Sequence, residues 1–356
     1  MTTGQESSLQ ILLASLQILF LFSVLLVLYI ILHRVWVDRR KAWFDRHYTR
    51  ISQELLDMLT GRDPQAPVAL SRFNKRFRAP MTKALLDLAR LIHGPERKLL
   101  EQVFSLGLEQ RTLKGLGSPF MIKRLEAARL LEFFRELPDR ARLESLLHDK
   151  PPVRLAAISA LARIQSPDAI KAVLEALESE KTPNYQDYLE ILFPLGEALE
   201  GELGARLKKD LPVALLAFYI ELVGLVPLRR LFPDVARFAS SPEKELRVKA
   251  ARALSRLELP EALPVLLGLA GDVEWEVQAQ AVLGLGRLKQ GEALPVLAAA
   301  LRSPHWFVRL NAKEALIMTG EPGIKCLREA VRQPDDRFAA DMARMGLWEC
   351  GLEGEG

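Results

Sequence analysis

Glu261-Ala-Leu-Pro-Val-Leu266 recurs as Glu292-Ala-Leu-Pro-Val-Leu297, and the 31-residue offset between the two copies governs most of the chain. Shifting the sequence by that offset superposes Leu246, Val277, Val308 and Ala339. Each opens an apolar pattern with a small residue four positions later, at Ala250, Ala281, Ala312 and Ala343. A leucine follows eight positions after the opening residue, at Leu254, Leu285, Leu316 and Leu347. The template also fits upstream at Lys123, Ala127 and Leu131 and at Val153, Ala157 and Leu161, with weaker copies near Tyr185 and Leu215. Apolar spacings of three and four, inside a period of 30 to 32 residues and without strand-like alternation, predict two short helices per repeat. The expected fold class is all-α, an α-solenoid in which each repeat buries its apolar face only against its neighbours.

Local punctuation agrees with this reading. The first helix of a repeat should stop before Ser166-Pro167, Leu259-Pro260, Gln290-Gly291 and Glu321-Pro322, where proline or glycine interrupts it. A second helix then begins at once, with Asp149, Asp272 and Asp335 in the turns leading to the next repeat. The small residues at position four are expected to let helices approach closely, and the leucines at position eight to fill the grooves between repeats.

These residues resemble the bacterial HEAT-like repeats of the kind found in phycobilisome lyase subunits. The family's signature, Val-Arg followed by a helix rich in small residues, is matched by Val153-Arg154, Leu246-Arg247 and Val308-Arg309. Lys123-Arg124 matches less well, and Gln278 replaces the arginine after Val277. The resemblance covers Met121 to Cys350 and implies the solenoid fold. It says little about activity, since such solenoids serve as scaffolds, regulators and a few enzymes. The enzyme alternative it implies is a chromophore lyase or lyase subunit, attaching a bilin to partner cysteines.

A second feature is the uncharged run from Leu9 to Leu32. As a helix its 24 residues span about 36 Å, more than the roughly 30 Å hydrocarbon core of a bilayer. Residues 1–8 hold no Lys or Arg, unlike the basic start of a cleavable signal peptide, so an uncleaved single-pass anchor is expected. Arg34, Arg39, Arg40, Lys41, Arg46 and Arg50 follow it, and the positive-inside rule puts the repeats in the cytoplasm and the amino terminus outside. The expected location is the plasma membrane, in a bacterium the inner one.

The chain therefore reads as a short outer segment (1–8), a transmembrane helix (9–32), a basic amphipathic juxtamembrane helix (33–60), an irregular helical cap (61–120), HEAT-like repeats (121–350) and a tail (351–356). Helices are expected in the cap over Met81 to Ile92 and Glu96 to Leu108. Residues 61–130 carry 14 Lys/Arg against 6 Asp/Glu, an excess of 8, whereas residues 131–356 carry 29 against 34, a deficit of 5. The basic part thus lies next to the anchor, where anionic headgroups would attract it. Lys75, Arg76 and Arg78 form its densest cluster with Phe73 and Phe77, open to three readings: a solvated face, a lipid or partner contact, or a nucleic-acid contact. Arg34, Trp36, Arg39, Arg40, Lys41 and Trp43 are the candidates for the membrane interface.

In the anchor, Gln10 and Gln17 share a helix face and are candidates for pairing with another transmembrane helix. Trp275 and Trp306 share one repeat position and are candidate partner contacts, or else staples packed on the next turn. Tyr185, Tyr188, Phe218 and Tyr219 join them, because the template weakens from about Asn184 to Asp234, where Leu189 and Tyr219 replace the small residue. That stretch is a candidate bend or partner groove, or else a diverged part of the core.

Catalytic chemistry is not legible. His33, His47, His93, His148 and His305 are scattered without metal-ligand spacing, and no phosphate loop, nucleophile elbow or dinucleotide fingerprint occurs. Cys326 and Cys350 give no disulfide framework. No catalytic residue, metal or cofactor is assigned, and a small-molecule substrate is not expected. The leading reading is a membrane-anchored scaffold or adaptor that recruits or regulates a protein partner, such as a membrane enzyme or transporter, with membrane lipids as further contacts. Nucleic-acid binding through the basic amino-terminal half ranks third, after the lyase.

Overall fold

The computed structural model describes residues 3–61, 77–92, 94, 96–133, 140–332 and 336–352, and for residues 3–18, 106 and 107 the backbone alone. Every regular element among the described residues is helical. Two compact units are present, Met1–Arg142 and Leu143–Gly356.

The first unit opens with α1 (Thr3–Leu59), a single helix of 57 residues, about 86 Å long. The apolar run and the juxtamembrane stretch are therefore one element. From Leu19 to Leu32 the large apolar side chains are all exposed, by 47% to 73%. Further along, Ile51, Leu55 and Met58 are buried where α1 packs on α2 (Arg78–Leu91), whose own buried row is Met81, Ala84, Leu85 and Leu88. Tyr48 donates its hydroxyl to Asp87 Oδ2 at 2.8 Å across this junction. Next come α3 (Arg97–Gly107), α4 (Glu109–Leu116) and α5 (Met121–Phe133), the last carrying the first repeat template.

The unit boundary falls inside α6 (Arg140–Ser145). The second unit continues with α7 (Pro151–Ile164), α8 (Pro167–Ser179), α9 (Tyr185–Leu192), α10 (Glu200–Leu207), α11 (Val213–Leu225) and α12 (Phe232–Ala236). It ends with α13 (Lys244–Leu257), α14 (Leu263–Leu269), α15 (Trp275–Leu288), α16 (Leu294–Ala300), α17 (Trp306–Met318), α18 (Glu321–Arg332) and α19 (Arg337–Glu349). First and second helices alternate as the period requires, making an α-solenoid of two-helix repeats.

First helices stop where the punctuation predicts, but the stop itself is made by the residue twelve after the opening one. Gln165, Glu258 and Lys289 adopt the left-handed conformation there, with φ of 55°, 51° and 53°, and Gly320 does so in the next repeat with φ of 75°. Only the last has the residue type that takes this conformation without steric cost. The second helices then open with a 3-10 turn, Pro260–Ala262 or Gly291–Ala293, before the seven residues of α14 and α16. Pro264 and Pro295 sit in the first turn of the α segment, where a missing N–H breaks no intrahelical bond. The duplicated hexapeptide is thus the junction between the 3-10 turn and the second helix.

The alanines at position four are wholly buried in α13, α15 and α17, as expected. The tightest approach between first helices lies elsewhere, where position nine of one repeat meets position seven of the next. A methyl group on Gly224 would fall 2.7 Å from Ala253 Cα, and one on Gly286 only 2.4 Å from Ala315 Cα. The intervening pair reverses the order, since a methyl on Gly284 would come within 2.9 Å of Ser255 Cβ. Backbone meets backbone between α11 and α13 and between α15 and α17, while α13 and α15 meet through the Ser255 side chain.

Two substitutions test this account by urea denaturation. Gly286→Ala forces the two backbones apart and is expected to destabilise the unit by about 1–3 kcal/mol. Lys289→Gly relieves a left-handed lysine and is expected to stabilise it by about 1 kcal/mol. Equal midpoints for both variants would contradict the assignment.

Candidate functional site

The residue after each opening position closes the turn in front of its own helix. Arg247 donates through Nη1 to the carbonyls of Ser241 and Pro242 at 3.0 and 3.1 Å, and Arg309 does the same to Ser303 and Pro304 at 2.7 and 3.1 Å. Gln278, the departure from the pattern, donates through Nε2 to Asp272 O at 2.6 Å and so keeps the function with a shorter side chain. Arg247 also reaches forward, forming a fork on Asp272 with bonds of 2.7 and 3.0 Å. Asp272 accepts the Glu274 N–H at 2.9 Å as well. Burial raises the Asp272 pKa, but the Arg247 fork and the backbone N–H bonds outweigh it and hold the carboxyl below its ordinary value. These arginines are bridges between repeats.

Beside them the aromatic side chains form a ridge along the amino-terminal ends of α15, α17 and α19. Trp275 is half-buried and stacks on Phe307, centroids 5.5 Å apart at 14°, and on His305 at 5.8 Å. Trp306 stands edge-on to Phe307 at 4.9 Å and 78°. Arg309 lies 5.2 Å above the ring of Phe338. Trp306, Phe307 and Phe338 remain 51%, 53% and 68% exposed. Trp275 is thus a staple to the next repeat, whereas Trp306 faces solvent. Phe307 and Phe338, one period of 31 residues apart, belong to the same ridge and are recoverable from that offset.

In the middle of the unit the core alternative holds for three of the four aromatic candidates. Tyr188, Phe218 and Tyr219 are buried, with exposures of 1%, 6% and 0%, so they are core residues and cannot meet a partner. Tyr185 stacks on Phe218 at 5.0 Å and is half-buried. Tyr219, standing where other repeats have alanine, needs a partner for its hydroxyl and donates it to Glu178 Oε1 at 3.2 Å. Arg206, itself only 2% exposed, donates to Glu178 at 2.6 Å and also pairs with Glu202. Tyr188 donates to Glu180 Oε1 at 2.6 Å. Burial above all, and then the neighbouring carboxylates, push both phenols up. Beside Tyr188 a cleft of about 450 Å³ opens, walled by His148, Arg154, Glu180, Lys181 and Asp187. Arg154 and Tyr188 both engage Glu180, so its polar wall is largely self-satisfied.

In the first unit Arg34, Trp36, Arg39, Arg40 and Lys41 are exposed along α1, with Arg40 5.2 Å over the Trp36 ring. Trp43 is half-buried, its ring packing on His47 at 4.6 Å and on Phe77 at 5.9 Å. Arg78 is half-buried at the start of α2. Lys75, Arg76 and Asp335, and the side chains of Gln10 and Gln17, lie outside the described residues. Among the described residues no group of three or more His, Cys, Asp or Glu gathers as metal ligands would.

Residues 110–187 and 268–348 match the family described as HEAT repeats. The stretch between the matches contains the bulky Tyr219 and the buried Arg206. No curated protein matches the sequence. Among solved structures, Kap95p, from work on its binding to RanGDP, is 11% identical over 85% of this chain and 48% of its own, with a TM-score of 0.50. Kap121p bound to Nup53p is 14% identical over 84% of this chain and 41% of its own, with a TM-score of 0.44. Human deoxyhypusine hydroxylase is 17% identical over 78% and 98%, with a TM-score of 0.31. This chain spans less than half the length of either Kap protein. At these identities the likeness is one of fold.

Asp272, with its pKa held down in the folded state, adds stability that is fully present above the ordinary carboxylate range and is lost as pH falls through the folded value. Asp272→Asn should therefore lower stability at pH 7 by about 1–3 kcal/mol and flatten the acid side of the stability profile between roughly pH 5 and 3. Parallel acid limbs for the variant and the parent would remove the bridge from the account.

Proposed function

We propose that the chain is a single-pass membrane protein whose HEAT-repeat solenoid binds a protein partner at the cytoplasmic face and thereby recruits or regulates it. The observation that carries this reading is α1: from Leu19 to Leu32 its large apolar side chains are without exception exposed. Soluble monomers rarely expose contiguous apolar patches beyond a few hundred Å², and a lipid phase removes that cost for a helix of this length. The cations that follow, Arg34, Arg39, Arg40 and Lys41, favour the cytoplasmic side for everything after them. Trp36 has the place of an interfacial anchor. Because α1 runs unbroken to Leu59, where its buried row docks on α2, the anchor and the first unit share a continuous helix.

Partner binding rests on the ridge of Trp306, Phe307 and Phe338. Exposed aromatics held rigid by ring stacking offer large contact area at little conformational cost, which is the character of interface hot spots. Tethering then raises the local concentration of the partner near other membrane proteins, such as an enzyme or a transporter. In this reading the chain performs no catalysis of its own.

A photoreactive phenylalanine analogue at Phe307, in the full-length protein in native membranes, tests both halves. The expected result is one dominant crosslinked protein, at least tenfold reduced by Trp306→Ala, as befits loss of a hot spot of about 2–4 kcal/mol, and absent when residues 1–32 are deleted. Crosslinks to no protein, or the same adduct without the anchor, would refute the proposal.

A further inference from the structure

Three guanidinium groups stand together where α13 meets α15. Arg252 and Arg256 lie one turn apart on α13, and Arg287 on α15 is the counterpart of Arg256 one period of 31 residues later. Arg287 donates through Nη1 to Ser255 Oγ at 3.2 Å, which brings it beside Arg256. Arg252 donates through Nε to Gln280 Oε1 at 3.1 Å, and its Nη1 lies 3.7 Å from Glu221 Oε1. Glu221 is itself engaged by Lys249. Arg256 fares differently: its Nη1 is shielded from solvent and meets no acceptor among the described residues. Burial and the repulsion of Arg252 and Arg287 push its pKa down, against the pull of Glu221.

Three cations, Lys249, Arg252 and Arg256, thus share one carboxylate, Glu221, and a fourth, Arg287, stands beside Arg256. Desolvating a charge without pairing it is costly, and like charges in contact add to that cost. Nothing in the packing of the first helices calls for arginine at position 256: the close contacts run through Gly224, Ala253, Ser255 and Gly284, and Arg256, unlike Arg252 and Arg287, makes no bond between helices. A locally unfavourable charge set on an otherwise well-packed element is where function is expected to oppose stability. Arg256 is only part-buried and keeps an unbonded guanidinium edge beside the shielded Nη1, and such an edge fits a carboxylate in two parallel bonds.

We infer that the Arg252, Arg256 and Arg287 cluster binds an acidic segment of a protein partner, with a carboxylate received by Arg256 and flanked by the other two. This rests on the protein-partner reading above and gives that partner a chemistry. A carboxylate suits the place better than a phosphate, because Glu221 would repel a dianion about twice as strongly as a monoanion. Arg256 and Arg287, repeated on successive helices, suit single charges spaced along an extended chain.

The test titrates fluorescein-labelled hexaglutamate with the full-length protein in a neutral detergent, followed by fluorescence anisotropy. Saturable binding that weakens with added salt is expected. R256Q should lose at least tenfold in affinity, R256K should lose less because it keeps charge without the fork, and R229Q/R230Q, at two exposed arginines of the same unit, should bind like the parent. R256Q should also keep or raise the thermal midpoint, since it removes an unpaired charge, whereas a structural arginine would lower it. No saturable binding, equal binding by R256Q, a lowered midpoint in R256Q, or displacement by a single-stranded oligonucleotide or by anionic vesicles better than by unlabelled hexaglutamate would each overturn the assignment. If hexaglutamate fails while crosslinks at Phe307 persist, this site falls and the tethered scaffold stands; if both fail, both fall.

Discussion

Between Gly286 and Ala315 there is no room for a methyl group, and this backbone-to-backbone contact sets the geometry of the second unit. Once first helices touch along α11, α13, α15 and α17, side chains flanking the contact must either be small or extend sideways. Small residues take the facing positions nine and seven, as Gly224 and Ala253, Ser255 and Gly284, and Gly286 and Ala315. The sideways positions carry Glu221, Lys249, Arg252, Gln280 and Asn311, which bond from one first helix to the next. Asn311 reaches the Ala279 carbonyl at 2.7 Å for the same reason. The polar rows are therefore consequences of the close approach, and Arg256 stands out because it takes no part in them.

Where the small residue is missing, the fold compensates with polar bonds. Tyr219 occupies the place of an alanine, and its hydroxyl, Glu178, Arg206 and Glu202 form a buried set in which each member has a partner. Pro194 lies in a 3-10 segment containing Gly196 at φ 58° and ψ −136°, so the chain turns there as well. A fully satisfied network of this kind tolerates burial that a single unpaired group would not. The irregular repeat thus adds a buried polar network to the packing that it shares with its neighbours.

The period, the helix pairs and their punctuation were legible because they depend on local spacing and on proline and glycine. Less was legible wherever the outcome depended on a neighbour one repeat away. Ala250 and its counterparts advertise a small-residue contact, yet the decisive pair is Gly286 and Ala315, visible only when positions nine and seven of adjacent repeats are compared. Trp275 and Trp306 look equivalent at the sequence level, but Phe307 covers one of them and leaves the other exposed. Tyr188, Phe218 and Tyr219 left groove and core readings open, because the partners of the tyrosine hydroxyls, Glu180 and Glu178, lie outside their own helices. The contact of Trp43 with Phe77 was not legible for the same reason, since Phe77 stands at the start of another helix.

The proposed function rests on what these constraints leave exposed among the described residues: the apolar side chains from Leu19 to Leu32 of α1, and the aromatic ridge of Trp306, Phe307 and Phe338. The direct measurement of the tethered arrangement uses a native thiol, Cys350, which is exposed beyond α19. A membrane-impermeant maleimide, applied to intact cells and then to permeabilised ones, should label Cys350 only after permeabilisation, with the protein in the membrane fraction throughout. Labelling in intact cells, or recovery of the protein in the soluble fraction, would contradict a solenoid held on the inner side by α1.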